Sequence, residues 1–128
     1  MRALVSASAS LGLMLFAVLA FAAEVPFNQA QFDAAKAAGK PIAVVFHADW
    51  CPTCRAQAPL LKALSEKPEF SRVTLYIANY DAEKSLKKSL GVTQQSTVVV
   101  FKQGREVGRS TGDTNEGSLA GLLRRSIS

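Results

Sequence analysis

The sequence predicts one α/β domain, a central mixed β-sheet with helices on both faces. Three observations predict it. Short apolar runs of strand length alternate with stretches of helical periodicity, the pattern of strands and helices packed in layers. Near the C-terminus two strand-like segments flank a tight turn, adding an antiparallel hairpin to the alternating units. At 128 residues the chain is long enough for one core and too short for two.

The elements follow in order. Asn28 can cap a helix running to Ala38, and Gly39 can end it in the left-handed conformation. Phe32 and Ala35 form its buried stripe, with Gln31 and Lys36 outside. Ile42 to Phe46, bounded by Pro41, is a continuous apolar run and reads as a strand buried on both faces. A second helix is expected from Pro52 to Leu64. Pro59 lies inside it, where the missing N–H and the ring predict a kink. Val73 to Ala78 reads as the next strand. Asp81 can cap a helix from Ala82 to Leu90, which Gly91 terminates. Thr97 to Phe101 and Glu106 to Ser110 flank the turn Lys102–Gln103–Gly104–Arg105. Glu116 to Arg125 closes the chain as a helix with Leu119, Leu122 and Leu123 inward. Phe46, Phe70, Tyr76 and Phe101 read as core rather than as a cofactor box.

The first residues stand apart. Met1 and Arg2 are followed by the apolar stretch Leu11 to Leu19 and then by Ala20–Phe21–Ala22, with no acidic residue before Glu24. A basic start, an apolar centre and a small-residue site describe a secretory signal peptide, here residues 1–23, leaving 24–128 as the domain. The alternative is an uncleaved membrane anchor, since Ala3 to Ala23 approaches the roughly 20 residues that span a bilayer. Ser6, Ser8 and Ser10 dilute its first half and favour cleavage. The absence of cysteine at the junction argues against a lipid-anchored form. The expected location is therefore periplasmic or secreted, with a membrane attachment only if the leader is retained. The net charge of +5 comes from dispersed basic residues, so it implies no nucleic-acid partner.

Cys51 and Cys54 are the chain's two cysteines. A bridge between them closes almost no loop, so it adds little entropic stability. Its value lies in being made and broken. The pair sits where a buried strand ends and a helix begins, and unpaired N–H groups in the first helical turn favour a thiolate at Cys51. Thiolate is the species that attacks disulfides. Cys54, one turn later and expected to be more buried, is placed to attack the mixed disulfide formed at Cys51. Pro52 at the first helical position costs no hydrogen bond. A zinc site is the competing reading, but zinc takes four ligands and His47 is the one further nitrogen or sulfur ligand of the usual kind.

Trp50–Cys51–Pro52–Thr53–Cys54 after Val44–Val45–Phe46 resembles the active-site segment of the thioredoxin superfamily. The resemblance continues through Pro59, Asn79–Tyr80–Asp81, Phe101–Lys102–Gln103–Gly104 and Gly112, and covers about Pro41 to Leu123. It implies a thioredoxin-like fold and a protein thiol–disulfide oxidoreductase with Cys51 and Cys54 catalytic. It implies no cofactor beyond the redox-active disulfide. Its partners would be protein disulfides or dithiols and a separate redox partner that recharges the pair. Trp50, Pro52, Thr53, Ser96 and Thr97 would border the substrate. Ala48–Asp49–Trp50–Cys51 is also similar to the soluble C-terminal domain of membrane thiol–disulfide interchange proteins, which points to a reducing role in a bacterial periplasm.

Three positions depart from that pattern. Gln95–Ser96–Thr97 stands where the family has a cis-proline before threonine, and a non-proline cis bond costs about 2.5–4 kcal/mol, so the Ser96 peptide is expected to be trans. The Ser96 hydroxyl is then expected to donate to the Cys51 thiolate. Val45 occupies the place of the family's buried aspartate, and Ile77 that of its lysine partner, so the proton relay from the second cysteine must be water, another residue or absent. Asp49 and His47 are nearby polar groups, with His47 a candidate proton acceptor or third ligand. Two other function classes stay open: a metal-handling protein using Cys51 and Cys54 with Ser96 or His47, and a non-catalytic adaptor of the same fold. Bound metal would mark the first, and failure of disulfide exchange the second.

Overall fold

The computed structural model describes residues 12–15 and 23–128. The expected leader therefore lies mostly outside the described residues, which include its positions 12–15 and 23. Among those described, no helix is long and apolar enough to cross a membrane.

The elements are β1 (Ala23–Pro26), α1 (Gln29–Ala37), β2 (Ile42–His47), α2 (Pro52–Ser65), β3 (Thr74–Asn79), α3 (Lys84–Leu90), β4 (Thr97–Lys102), β5 (Arg105–Thr111) and α4 (Glu116–Arg124). A short 3-10 turn, Pro68–Phe70, links α2 to β3. The five strands form one sheet in the order β1-β3-β2-β4-β5. β1 and β2 flank β3 in parallel, whereas β4 and β5 are antiparallel.

β2 is fully buried until its last residue because both faces of the sheet are covered. Ala43 and Val45 enter a core with Leu61 and Leu64 of α2 and Leu119, Leu122 and Leu123 of α4. Ile42, Val44 and Phe46 point the other way, into a core with Phe32 of α1, Leu86 of α3 and Phe101 of β4. That two-sided burial is why β2 reads as a continuous apolar run rather than an alternating one. All four aromatics expected in the core are there.

Capping follows the sequence in α1, where the Asn28 side chain accepts from the Gln31 N–H. α3 departs from it. The expected cap at Asp81 is replaced by a turn in which the Asn79 side chain accepts from the N–H groups of Asp81 and Ala82. The helix then starts at Lys84, and Gly91 ends it at φ 64° as expected. β1 is an element the sequence reading did not contain. Its four residues include a proline, and it exists by pairing Ala23 to Pro26 with Thr74 to Ile77. The β4–β5 turn is narrower than expected: Gln103 and Gly104 both take positive φ, 52° and 77°. Such paired left-handed residues match the twist of a hairpin.

Candidate active site

The end of β2 delivers the chain, through Ala48–Asp49–Trp50, to the N-terminus of α2. Cys51 is the N-cap of that helix, in extended conformation, with Pro52 in the first turn. Its sulfur accepts from the Cys54 N–H at 3.4 Å. A backbone donor aimed at Sγ stabilises the charged form. That N–H is the largest influence holding the Cys51 thiol below its ordinary value. The Cys54 thiol, the Ser96 hydroxyl and the Thr53 N–H act in the same direction, against the opposing effect of burial. Both thiols are free; Cys51 is 8% exposed and Cys54 only 1%. The outer sulfur is thus activated and the inner one sheltered.

The opposite wall is the turn before β4. Ser96 is buried, its peptide is trans, and its φ is 59°. Its N–H donates to the Phe46 carbonyl at 2.8 Å, and its carbonyl accepts from the Gly112 N–H at 3.0 Å. The hydroxyl oxygen lies 2.9 Å from Cys54 Sγ and 3.7 Å from Cys51 Sγ. The expected partner was the Cys51 thiolate; the hydroxyl touches both sulfurs and lies nearer the inner one. A trans serine in the left-handed region turns its side chain inward, where the reading from sequence considered only the outer thiol.

The remaining candidates divide. Pro52 and Thr53 are exposed on the first turn of α2. Trp50 is 60% exposed and fixed by a 2.7 Å bond from Nε1 to the Asp81 carboxylate, which is why Asp81 does not cap α3. The Thr97 hydroxyl is committed to the Gln94 carbonyl and the Thr111 hydroxyl, away from the sulfurs. His47 bonds Asp49 at 2.9 Å, and neither hydrogen-bonds a sulfur. Among the described residues no group of three or more His, Cys, Asp or Glu is placed to hold a metal ion. Val45 and Ile77 line a cavity of about 230 Å³ whose wall also holds Glu24, His47, Gln57 and Lys62, so no acid–base pair stands at positions 45 and 77 themselves.

Gln57 went unnoticed in the sequence. It is 1% exposed, and its Nε2 donates to the carbonyls of Ser96 at 3.2 Å and Asp113 at 2.9 Å. One amide therefore ties α2 to both the Ser96 turn and the segment before α4. The signal was present: Cys54, Gln57, Leu61 and Leu64 share the buried face of α2, and glutamine is the polar residue in that stripe.

The chain is similar to known proteins. The thioredoxin family profile matches residues 23–125. A thioredoxin of Chlamydia muridarum is 34% identical over 84 residues, 66% of this chain and 80% of that protein. A putative thioredoxin-5 of Dictyostelium discoideum is 31% identical, covering 78% of this chain and 94% of its own. The crystal structure of Trxlp from Edwardsiella tarda superposes with a TM-score of 0.77 at 35% identity, over 79% of this chain and 98% of that one. The sheet order, the helix-capping cysteine and these relatives agree: the chain belongs to the thioredoxin family.

Proposed function

We propose that this protein is an exported thiol–disulfide oxidoreductase that works in the reducing direction on protein disulfides. The observation that carries the chemistry is the placement of Cys51 Sγ at the N-cap of α2, bonded by the Cys54 N–H, with Cys54 buried behind it. The Cys51 thiolate attacks a substrate disulfide and forms a mixed disulfide. Cys54 then attacks Cys51 Sγ, releases the reduced substrate and leaves the pair oxidised. A separate redox partner returns it to the dithiol, and no organic cofactor takes part.

Export rests on the basic start, apolar centre and Ala20–Phe21–Ala22 site of the leader. Cleavage after Ala23, where the expected leader ends, would leave Glu24 to Pro26 to pair with β3. The exposed Trp50, Pro52 and Thr53 border the outer sulfur and supply the surface on which a substrate strand docks.

Equilibration of the purified protein with glutathione buffers tests this reading. A single two-electron transition is expected, toward the reducing end of the roughly −270 to −120 mV spanned by such pairs. Its loss in Cys51→Ser is part of the same expectation. A wild-type protein that never forms the Cys51–Cys54 disulfide would contradict it.

A further inference from the structure

The resolving step demands that buried Cys54 lose a proton, and the two apolar residues at the cavity wall, Val45 and Ile77, cannot take it. Burial of Cys54 to 1% exposure also limits the access of bulk solvent to its sulfur. Two polar atoms of the described residues besides Cys51 approach Cys54 Sγ: the Phe46 carbonyl oxygen at 4.0 Å and the Ser96 hydroxyl at 2.9 Å. A carbonyl accepts a proton's hydrogen bond but has none of its own to hand on. A hydroxyl does both.

We propose that the Ser96 hydroxyl is the proton relay of the resolving step, carrying the Cys54 proton to the departing substrate thiolate. This rests on the oxidoreductase reading above. The same oxygen lies 3.7 Å from Cys51 Sγ, so it reaches from the buried sulfur toward the one that carries the substrate in the mixed disulfide. Its hydrogen bonds run to the two sulfurs and to no other side chain among the described residues. The turn is also held firmly: Phe46, Gly112 and Gln57 bind its backbone groups and keep a serine at φ 59°, a conformation that non-glycine residues seldom adopt. Gln57 is the positioning residue of the relay.

The step balances without another reagent. The Cys54–Cys51 sulfur bond forms as the bond from Cys51 to the substrate sulfur breaks. The Cys54 proton passes to Ser96 Oγ while the serine's own proton passes through a solvent water to the leaving sulfur, which in-line attack places beyond Cys51 Sγ. Two electrons leave the pair and reduce the substrate disulfide. Other titratable groups near the sulfurs are few. Tyr80 packs against the pair with its hydroxyl donating to the Thr93 carbonyl, and His47 is turned to Asp49. Glu24 and Lys62 line the same cavity as Gln57.

The test mixes reduced protein with excess hydroxyethyl disulfide, quenches in acid, and follows the Cys51 mixed disulfide by mass spectrometry. In Ser96→Ala resolution should be at least about a hundredfold slower than in wild type near pH 6, the lower end of what a general acid–base group contributes, so the mixed disulfide should accumulate in excess. That excess should shrink toward pH 10, where abundant hydroxide competes with the relay for the proton. Loss of the bond to Cys51 acts the other way, slowing formation, so accumulation cannot arise from it. Ser96→Gly accepts the positive φ without strain and should behave as the alanine variant does. Equal accumulation in wild type and both variants would overturn the relay, as would an excess of constant factor at every pH. Wild-type protein that gives neither mixed disulfide nor Cys51–Cys54 disulfide would instead defeat the oxidoreductase reading itself.

Discussion

At Cys51 one backbone N–H from Cys54 and one hydroxyl from Ser96 act on the same sulfur, and both favour the thiolate. The consequence is a pH window. Because folding lowers this thiol's value, the reduced protein gains stability above the unfolded thiol value, and loses that gain as pH falls through the folded one. Alkylation of Cys51 by iodoacetamide should therefore persist below the ordinary thiol value of about 8.5. In Ser96→Ala the midpoint should move upward, since a donor to the charged form has been removed. Absorbance titration of the thiolate measures both, and superimposable curves would remove the hydroxyl from Cys51 activation. The cysteine roles were legible because spacing and helix position are local. The reach of Ser96 to Cys54 was not, because it depends on a backbone torsion of 59° that no residue pattern announces.

Helix α2 carries the site and part of the core on one face, and Gln57 joins the two functions. Replacing it with leucine keeps the volume but leaves the Asp113 carbonyl without this donor and takes one of two partners from the Ser96 carbonyl. Gln57→Leu should cost about 1–3 kcal/mol in urea unfolding, the scale of a buried acceptor left unpaired. It should also slow the resolving step more than the attack by Cys51, because the Ser96 turn loses a tether. Unchanged stability would show that the amide is not needed to hold the turn. Periodicity made α1, β2, α2 and the hairpin readable, each through a local signal such as the Asn28 cap or the Gln103–Gly104 turn. β1 was hidden because four residues including a proline become a strand only when β3 is beside them. The start of α3 was misplaced because Asp81 is claimed by Trp50, thirty-one positions earlier in the chain.

For the whole molecule, the sheet places the Cys51 end of α2 against the Ser96 turn while two cores lock the helices on both faces. Intact mass of exported protein should begin at Ala23 or Glu24, and retention of Met1 would exclude cleavage there. The mechanism turns on the order in which the two sulfurs act. The measurement that tests it most directly is mixed-disulfide trapping with Cys54→Ser, read by non-reducing electrophoresis and peptide mass spectrometry. Cys54→Ser should hold substrate proteins on Cys51, because the buried thiol that releases them is gone. Cys51→Ser should hold none. Adducts on Cys54 in the Cys51 variant, with none on Cys51 in the other, would contradict the assignment.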